Sequence, residues 1–193
     1  MIIAARICPA RRSAGRMVQA PGPVAAHGGA TLDYERRLRD LGIELPDYSR
    51  IPYYGMSYGS MKSHHRVGNL LFLSGHIPEY PDGTILHQNG RLGQDLTIEQ
   101  GYEAARLSGI NAVAGMKFAL GDLNKVVSMV NSLNYVVCTP EFTDVHKVSS
   151  GSTDLIVEVF GPEIGLGARA TIGITSLARG NPFENWITVE VSD

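Results

Sequence analysis

The chain has 193 residues, with 17 Lys and Arg against 19 Asp and Glu for a formal net charge of −2. That balance gives no electrostatic reason to expect nucleic acid or an anionic membrane as a partner, and no apolar run approaches the roughly 18 residues needed to span a bilayer. The two cysteines, Cys8 and Cys138, are too few and too far apart for a zinc-ligand pattern or a disulfide framework, so a reducing, cytoplasmic setting is expected.

Residues 1–30 differ in composition from all that follows. They carry Arg6, Arg11, Arg12 and Arg16, and no acidic residue precedes Asp33. The charge is that of a mitochondrial transit peptide, but Ser13 is the only hydroxyl residue there. Pro9, Pro21, Pro23 and the intervening glycines argue against a stable helix. Two readings stand: a transit-like segment, or a disordered extension with Met17 as an alternative start.

Residues 31–60 read as a short helix and a strap. Thr31 can cap the helix, Gly42 ends it and Pro46 prevents its resumption. The strap is rich in Pro and Tyr, and Tyr48, Tyr53, Tyr54 and Tyr58 give it aromatic surface for packing.

From Met61 the pattern is that of strands. Met61 to Val67, then Gly68-Asn69, then Leu70 to Gly75, predicts a tight hairpin. Its second strand is apolar at successive positions, so both faces should be covered, one by helices and the other by a neighbouring subunit. Asp82-Gly83 marks a turn. Thr97 and Gln100 form a capping box for a helix to about Leu120, with Ile98, Tyr102, Ala105, Ile110, Val113 and Met116 as its apolar stripe. Val126 to Val137 is a β-branched strand. A second helix runs from about Phe142–Asp144 to Gly161, and two strands, near 168–177 and 183–191, close the chain. Two helices on one face of a mixed sheet make a two-layer α+β domain.

The penultimate strand carries the best candidate for binding chemistry. Side chains alternate between faces, so Ala170, Ile172 and Ile174 form one set and Arg169, Thr171, Gly173 and Thr175 the other. The apolar set is expected under the helices, which sends Arg169 to the helix-free face. An arginine beside small residues is a suitable carboxylate receptor, because its planar fork binds two oxygens at once. His64 and His65, adjacent on a strand, cannot chelate side by side, and no carboxylate or cysteine at ligand spacing joins them and His76. His87 and His146 have no partner visible in sequence, and no metal or cofactor is expected.

The stretches Gly68 to Pro78, Asp95-Leu96-Thr97 with Gly101 to Arg106, Leu120 to Leu123, Ala168 to Thr171 and the strand around Glu184 together resemble the RidA/YjgF family. The resemblance covers roughly 61–193, and Leu41 to Pro46 is similar to a longer subgroup. It implies a chorismate-mutase-like fold, a homotrimer with clefts between subunits, and hydrolysis of reactive 2-imino or enamine acids to 2-keto acids and ammonia. By the same resemblance Arg169 would bind the substrate carboxylate and Glu184 would orient or activate water. Ser74 and Gly75 would form a cleft wall, and Thr171 stands in place of a cysteine whose main chain contacts ligand. Ser150 replaces a cleft asparagine. The expected early tyrosine is Met61 here, with Tyr58 three residues upstream, and the familiar Glu-x-Glu reads Glu184-Asn185-Trp186. Two other readings belong beside the deaminase: a non-catalytic trimer binding small carboxylates or partner proteins, and the endoribonuclease that the family is often called. No basic patch with exposed aromatics supports the last.

Overall fold

The computed structural model describes residues 33–50 and 59–193. The N-terminal extension, Thr31, and the strap tyrosines Tyr53, Tyr54 and Tyr58 therefore lie outside the described residues. Helix α1 is Tyr34–Asp40. Its cap is Asp33, not Thr31: the Asp33 carboxylate accepts the Arg36 N–H at 2.8 Å, and a charged acceptor also suits the positive end of the helix. Gly42 follows in the left-handed region, at φ +67°. Tyr34 and Leu38 are buried in the main core, with Tyr34 edge-on to Phe160 at 4.7 Å.

Strands β1 (His64–Val67), β2 (Leu70–Leu73), β3 (Val126–Val137), β4 (Ala168–Ile174) and β5 (Phe183–Val191) form one sheet in the order β1-β2-β5-β3-β4. Only β3 and β4 pair in parallel. That parallel pair requires a crossover, which α3 (Val145–Phe160) and the single turn α4 (Pro162–Gly165) supply. Helix α2 (Ile98–Leu120) packs beside α3 on the same sheet face. The two-layer α+β arrangement predicted from the chain is therefore the one observed. Thr97 and Gln100 make the reciprocal capping box, and Gly121, at φ +73°, closes α2.

Between the layers lie Leu71, Val113, Met116, Leu155, Val159, Ile187 and Val189, all nearly or fully buried. Helix α2 is enclosed more completely than an apolar stripe predicts, since every residue from Asn111 to Met116 is buried. The reason is a second cover. The loop after β2 lies across α2, where the Asn111 amide donates to the carbonyls of Ile77 and Glu79 at 2.8 Å each. Tyr48 packs there too, against Ala114. The α2–α3 contact is close because it is made of small residues: a Cβ on Gly151 would overlap the Tyr102 carbonyl, and one on Gly109 would sit 2.9 Å from Leu155. Arg106 and Glu158 tie the two helices together at their outer edge.

The other sheet face carries no helix of the described residues. Register places Phe72 with Thr188, Trp186 with Leu133, and Ile172 with Tyr135 on that face. Phe72, Ile172 and Trp186 are 42%, 45% and 49% exposed. The full coverage expected for Leu70 to Leu73 is thus half realised within one chain: Leu71 and Leu73 are buried against the helices while Phe72 faces outward. Among the described residues no helix is long and apolar enough to cross a membrane.

Candidate active site

Arg169 is the second residue of β4, one of the two edge strands of the sheet, and its register corrects the face expected for it. Arg169 pairs with Ser132, and Ser132 with Ile187, a core residue beneath the helices. Arg169, Thr171 and Gly173 therefore face α3, while Ala170 and Ile172 face the bare side. The cause is the make-up of α3. Its edge over β4 presents hydroxyl and small groups, so the polar set of β4 fits beneath it. Thr171 Oγ1 and Ser149 Oγ lie 2.8 Å apart. A Cβ on Gly173 would stand 2.8 Å from Cys138 Sγ, which leaves room there for glycine alone.

The Arg169 Nη1 donates to Thr153 Oγ1 at 3.0 Å and to Ser150 Oγ at 3.4 Å. Ser150 is in turn anchored, its hydroxyl donating to the His146 carbonyl at 3.0 Å. These bonds hold the guanidinium in the wall of a half-open cleft of about 370 Å³, which also includes Ser132, Thr153, Leu166, Ile187 and Asp154, the last accepting from the Tyr102 hydroxyl. Arg66, Arg106 and Arg179 each pair with a carboxylate. Among the described residues no carboxylate pairs with Arg169, and no acceptor engages its Nη2 or Nε. A cation positioned on two hydroxyls, with Nη2 and Nε engaged by none of the described residues, is suited to a bidentate anion.

Glu184 lies near the opposite end of β5 and on the opposite face, paired with Tyr135. It is three rows of the sheet away from Arg169, roughly 10 Å along the strands. Its neighbours are the loop after β2 and Trp186. The Trp186 Nε1–H donates to Glu184 Oε1 at 2.7 Å, and the indole stands edge-on to Tyr135 at 5.9 Å. Burial raises the Glu184 carboxyl above the ordinary carboxylate range, and the indole hydrogen bond opposes it.

Gly75 explains how the carboxylate fits. A methyl on it would overlap Glu184 Oε1 and stand 2.5 Å from Trp186 Nε1. The preceding Ser74 is turned aside, its hydroxyl donating to the Lys62 carbonyl. A Gly75→Ala variant should thus displace the carboxylate while sparing the core. Its expected effect is a changed tryptophan emission at an unchanged unfolding midpoint, since the carboxylate and the indole nitrogen are displaced together. Emission and thermal unfolding measured together check this; emission identical to the wild type would contradict the close fit of Gly75 against Glu184 and Trp186.

Of the residues singled out from sequence, Arg169 and Ser150 come together, with Thr171 beside them on Ser149, and Gly75 meets Glu184, while the Ser74 hydroxyl is turned to the Lys62 carbonyl. Tyr58 lies outside the described residues. Thr153 was missed, although a hydroxyl one turn beyond Ser149 on a helix facing an arginine strand is a readable signal. His64 packs edge-on to Phe118, on the side of the strand away from His65. Among the described residues no three His, Cys, Asp or Glu side chains gather as a metal site.

Residues 35–177 match the profile of the YjgF/chorismate mutase-like family, whose description provisionally adds the word endoribonuclease. The protein TCP17 of Trypanosoma cruzi is 34% identical over 170 residues, spanning 88% of this chain and 99% of that one. A solved Agrobacterium tumefaciens protein of unknown function is 32% identical with a TM-score of 0.72, over 82% of this chain and 94% of its own. A Shewanella oneidensis structure, provisionally called an endoribonuclease, is 29% identical with a TM-score of 0.73, over 82% and 99%.

Proposed function

Because the chain belongs to the YjgF/chorismate mutase-like family, we propose that it hydrolyses small reactive 2-imino acids, and their enamine tautomers, to 2-keto acids and ammonia. The observation that carries this reading is the Arg169 guanidinium, held in a cleft wall by Ser150 and Thr153 and ion-paired with no carboxylate among the described residues. A 2-iminopropanoate offers the missing carboxylate, with an electrophilic carbon directly attached to it. Binding the carboxylate to the guanidinium fork fixes that carbon, and positioning alone supplies much of the acceleration.

Water then adds to the carbon of the protonated imine, C=NH2⁺: Glu184 takes one proton from the water, the C–N π electrons move to nitrogen, and the neutral carbinolamine, C(OH)(NH2), forms. Glu184 returns that proton to nitrogen, the C–N bond breaks with its electron pair leaving on ammonia, and the hydroxyl gives its proton back to the carboxylate as the keto C=O forms. A carboxyl raised by burial is suited to both steps, since its working value moves toward neutrality. The substrate is labile in itself, so the chemistry needs no metal.

Arg169 and Glu184 occupy opposite faces of one sheet. A site holding both therefore draws them from two copies of the chain. Docking the bare sheet face of one copy against another would also cover Phe72, Ile172 and Trp186. This agrees with a homotrimer having clefts between subunits.

Binding without turnover is the second reading, favoured by Trp186, whose indole already occupies one oxygen of Glu184. One assay separates the two. An amino-acid oxidase generates 2-iminopropanoate in the presence of semicarbazide, which traps the free imine. The proposal expects the protein to suppress trapping. Trapping at the uncatalysed rate, by an intact oligomer, would leave the binding role.

A further inference from the structure

We propose that Trp186 is the positioning residue of Glu184: its indole N–H engages one carboxylate oxygen and holds the ionised group with the other oxygen turned to the attacking water. The proposal rests on the reading of Glu184 as the group that handles the proton of that water. It goes further in giving a task to a bulky residue where the family resemblance leads one to expect a second carboxylate.

Three observations support it. The bond is short and charge-assisted, with Trp186 Nε1 to Glu184 Oε1 at 2.7 Å. The indole is itself fixed, edge-on to Tyr135 in the neighbouring strand. On the far side Gly75 leaves just enough space for both groups, since a methyl there would strike the carboxylate and the indole nitrogen together. Carboxylate, indole and glycine thus fit as one unit, contributed by β5 and the loop after β2.

The electrostatic surroundings are simple. From β3 the facing titratable group is Tyr135. The loop after β2 contributes His76, which is fully buried toward Gly115 of α2, and the Lys62 main chain through Ser74. From β4 the residue in the same row is Ile172, which carries no charge. Within one chain no charged side chain among the described residues contributes to the Glu184 shift, which burial raises and the indole hydrogen bond lowers; in the shared site Arg169 of the next copy would lower it too. Removing the N–H takes away one of the groups that favour the charged form. The sign follows: the carboxyl then holds its proton to higher pH, and the base form is lost earlier as pH falls.

The chain contains a single tryptophan, which makes the pair observable without substrate. The intact protein is titrated from pH 8 to pH 4 while its tryptophan emission is recorded, alongside the Glu184→Gln form. The expected result is one emission step in the wild type that Glu184→Gln abolishes. Emission that is flat with pH, or that titrates identically in Glu184→Gln, would overturn the coupling whatever the activity. Trp186→Phe keeps a ring against Tyr135 but has no N–H. With 2-iminopropanoate it should lose about tenfold in kcat with little change in KM, and the acid limb of its pH–rate profile should move to higher pH. An unmoved acid limb would overturn the positioning role. If the wild type hydrolyses no imine yet shows the emission step, the deaminase reading fails and the Trp186–Glu184 unit stands.

Discussion

Arg169→Ala is expected to lower kcat/KM for 2-iminopropanoate by about 10²–10³-fold, the equivalent of two charge-assisted hydrogen bonds. The loss should appear in both kcat and KM, because the guanidinium binds the carboxylate in the ground state and also sets the angle of attack. Arg169→Lys restores the charge without the planar fork, so it should recover only part of the activity. The fold should not suffer. The side chain is exposed, and its only partners among the described residues are the Ser150 and Thr153 hydroxyls, which solvent can satisfy. Steady-state kinetics of the three forms beside their unfolding midpoints checks this. Full activity in Arg169→Ala would mean that the cleft binds something else.

The second large effect concerns stability and pH. His76 is fully buried beneath α2, and burial pushes its imidazole down to about 3, with a hydrogen bond to the Ser74 backbone opposing the shift. In the unfolded chain it titrates near 6.5. Below that value the unfolded state binds a proton that the folded state refuses, so stability falls as pH falls. The loss is about 1.4 kcal/mol per pH unit within the window, or roughly 2 kcal/mol between pH 6.5 and pH 5. His64 is lowered as well, chiefly by burial, and acts in the same direction. Glu184 acts against both: its folded value is raised, so protonation as pH falls favours the fold. Urea denaturation at fixed protein concentration, at pH 7 and pH 5, should show the net loss. A His76→Gln form should show a flatter dependence. Equal pH dependence in both forms would contradict a neutral, buried His76.

Much of the architecture was legible because local signals agreed with one another. The Thr97–Gln100 box, Gly121 and the β-branched run at 126–137 each mark an element boundary by its own chemistry, and each falls where expected. The face of β4 was not legible. Alternation shows which residues share a face; it does not show which face a helix covers when the bare side is apolar too. Here Ile172 points to the bare side and Thr171 to the helix. The enclosure of α2 was present in the sequence as glycine, alanine and serine at Gly101, Ala105, Ser108, Gly109 and Ala112. Such small residues signal close helix contact more than an apolar stripe does. The Trp186–Glu184 bond depends on an indole reaching back two residues along one strand face, a choice of rotamer that spacing does not encode.

The separation of Arg169 and Glu184 onto opposite faces gives the most direct test of the shared site. Arg169→Ala and Glu184→Gln copies, each inactive on 2-iminopropanoate alone, are unfolded together and refolded as mixed oligomers. Random mixing leaves about one quarter of interfaces with an intact arginine from one copy and an intact glutamate from the next. The account predicts that activity returns to about that fraction of wild type. Mixed oligomers as inactive as their parents would contradict a site built from two copies of the chain.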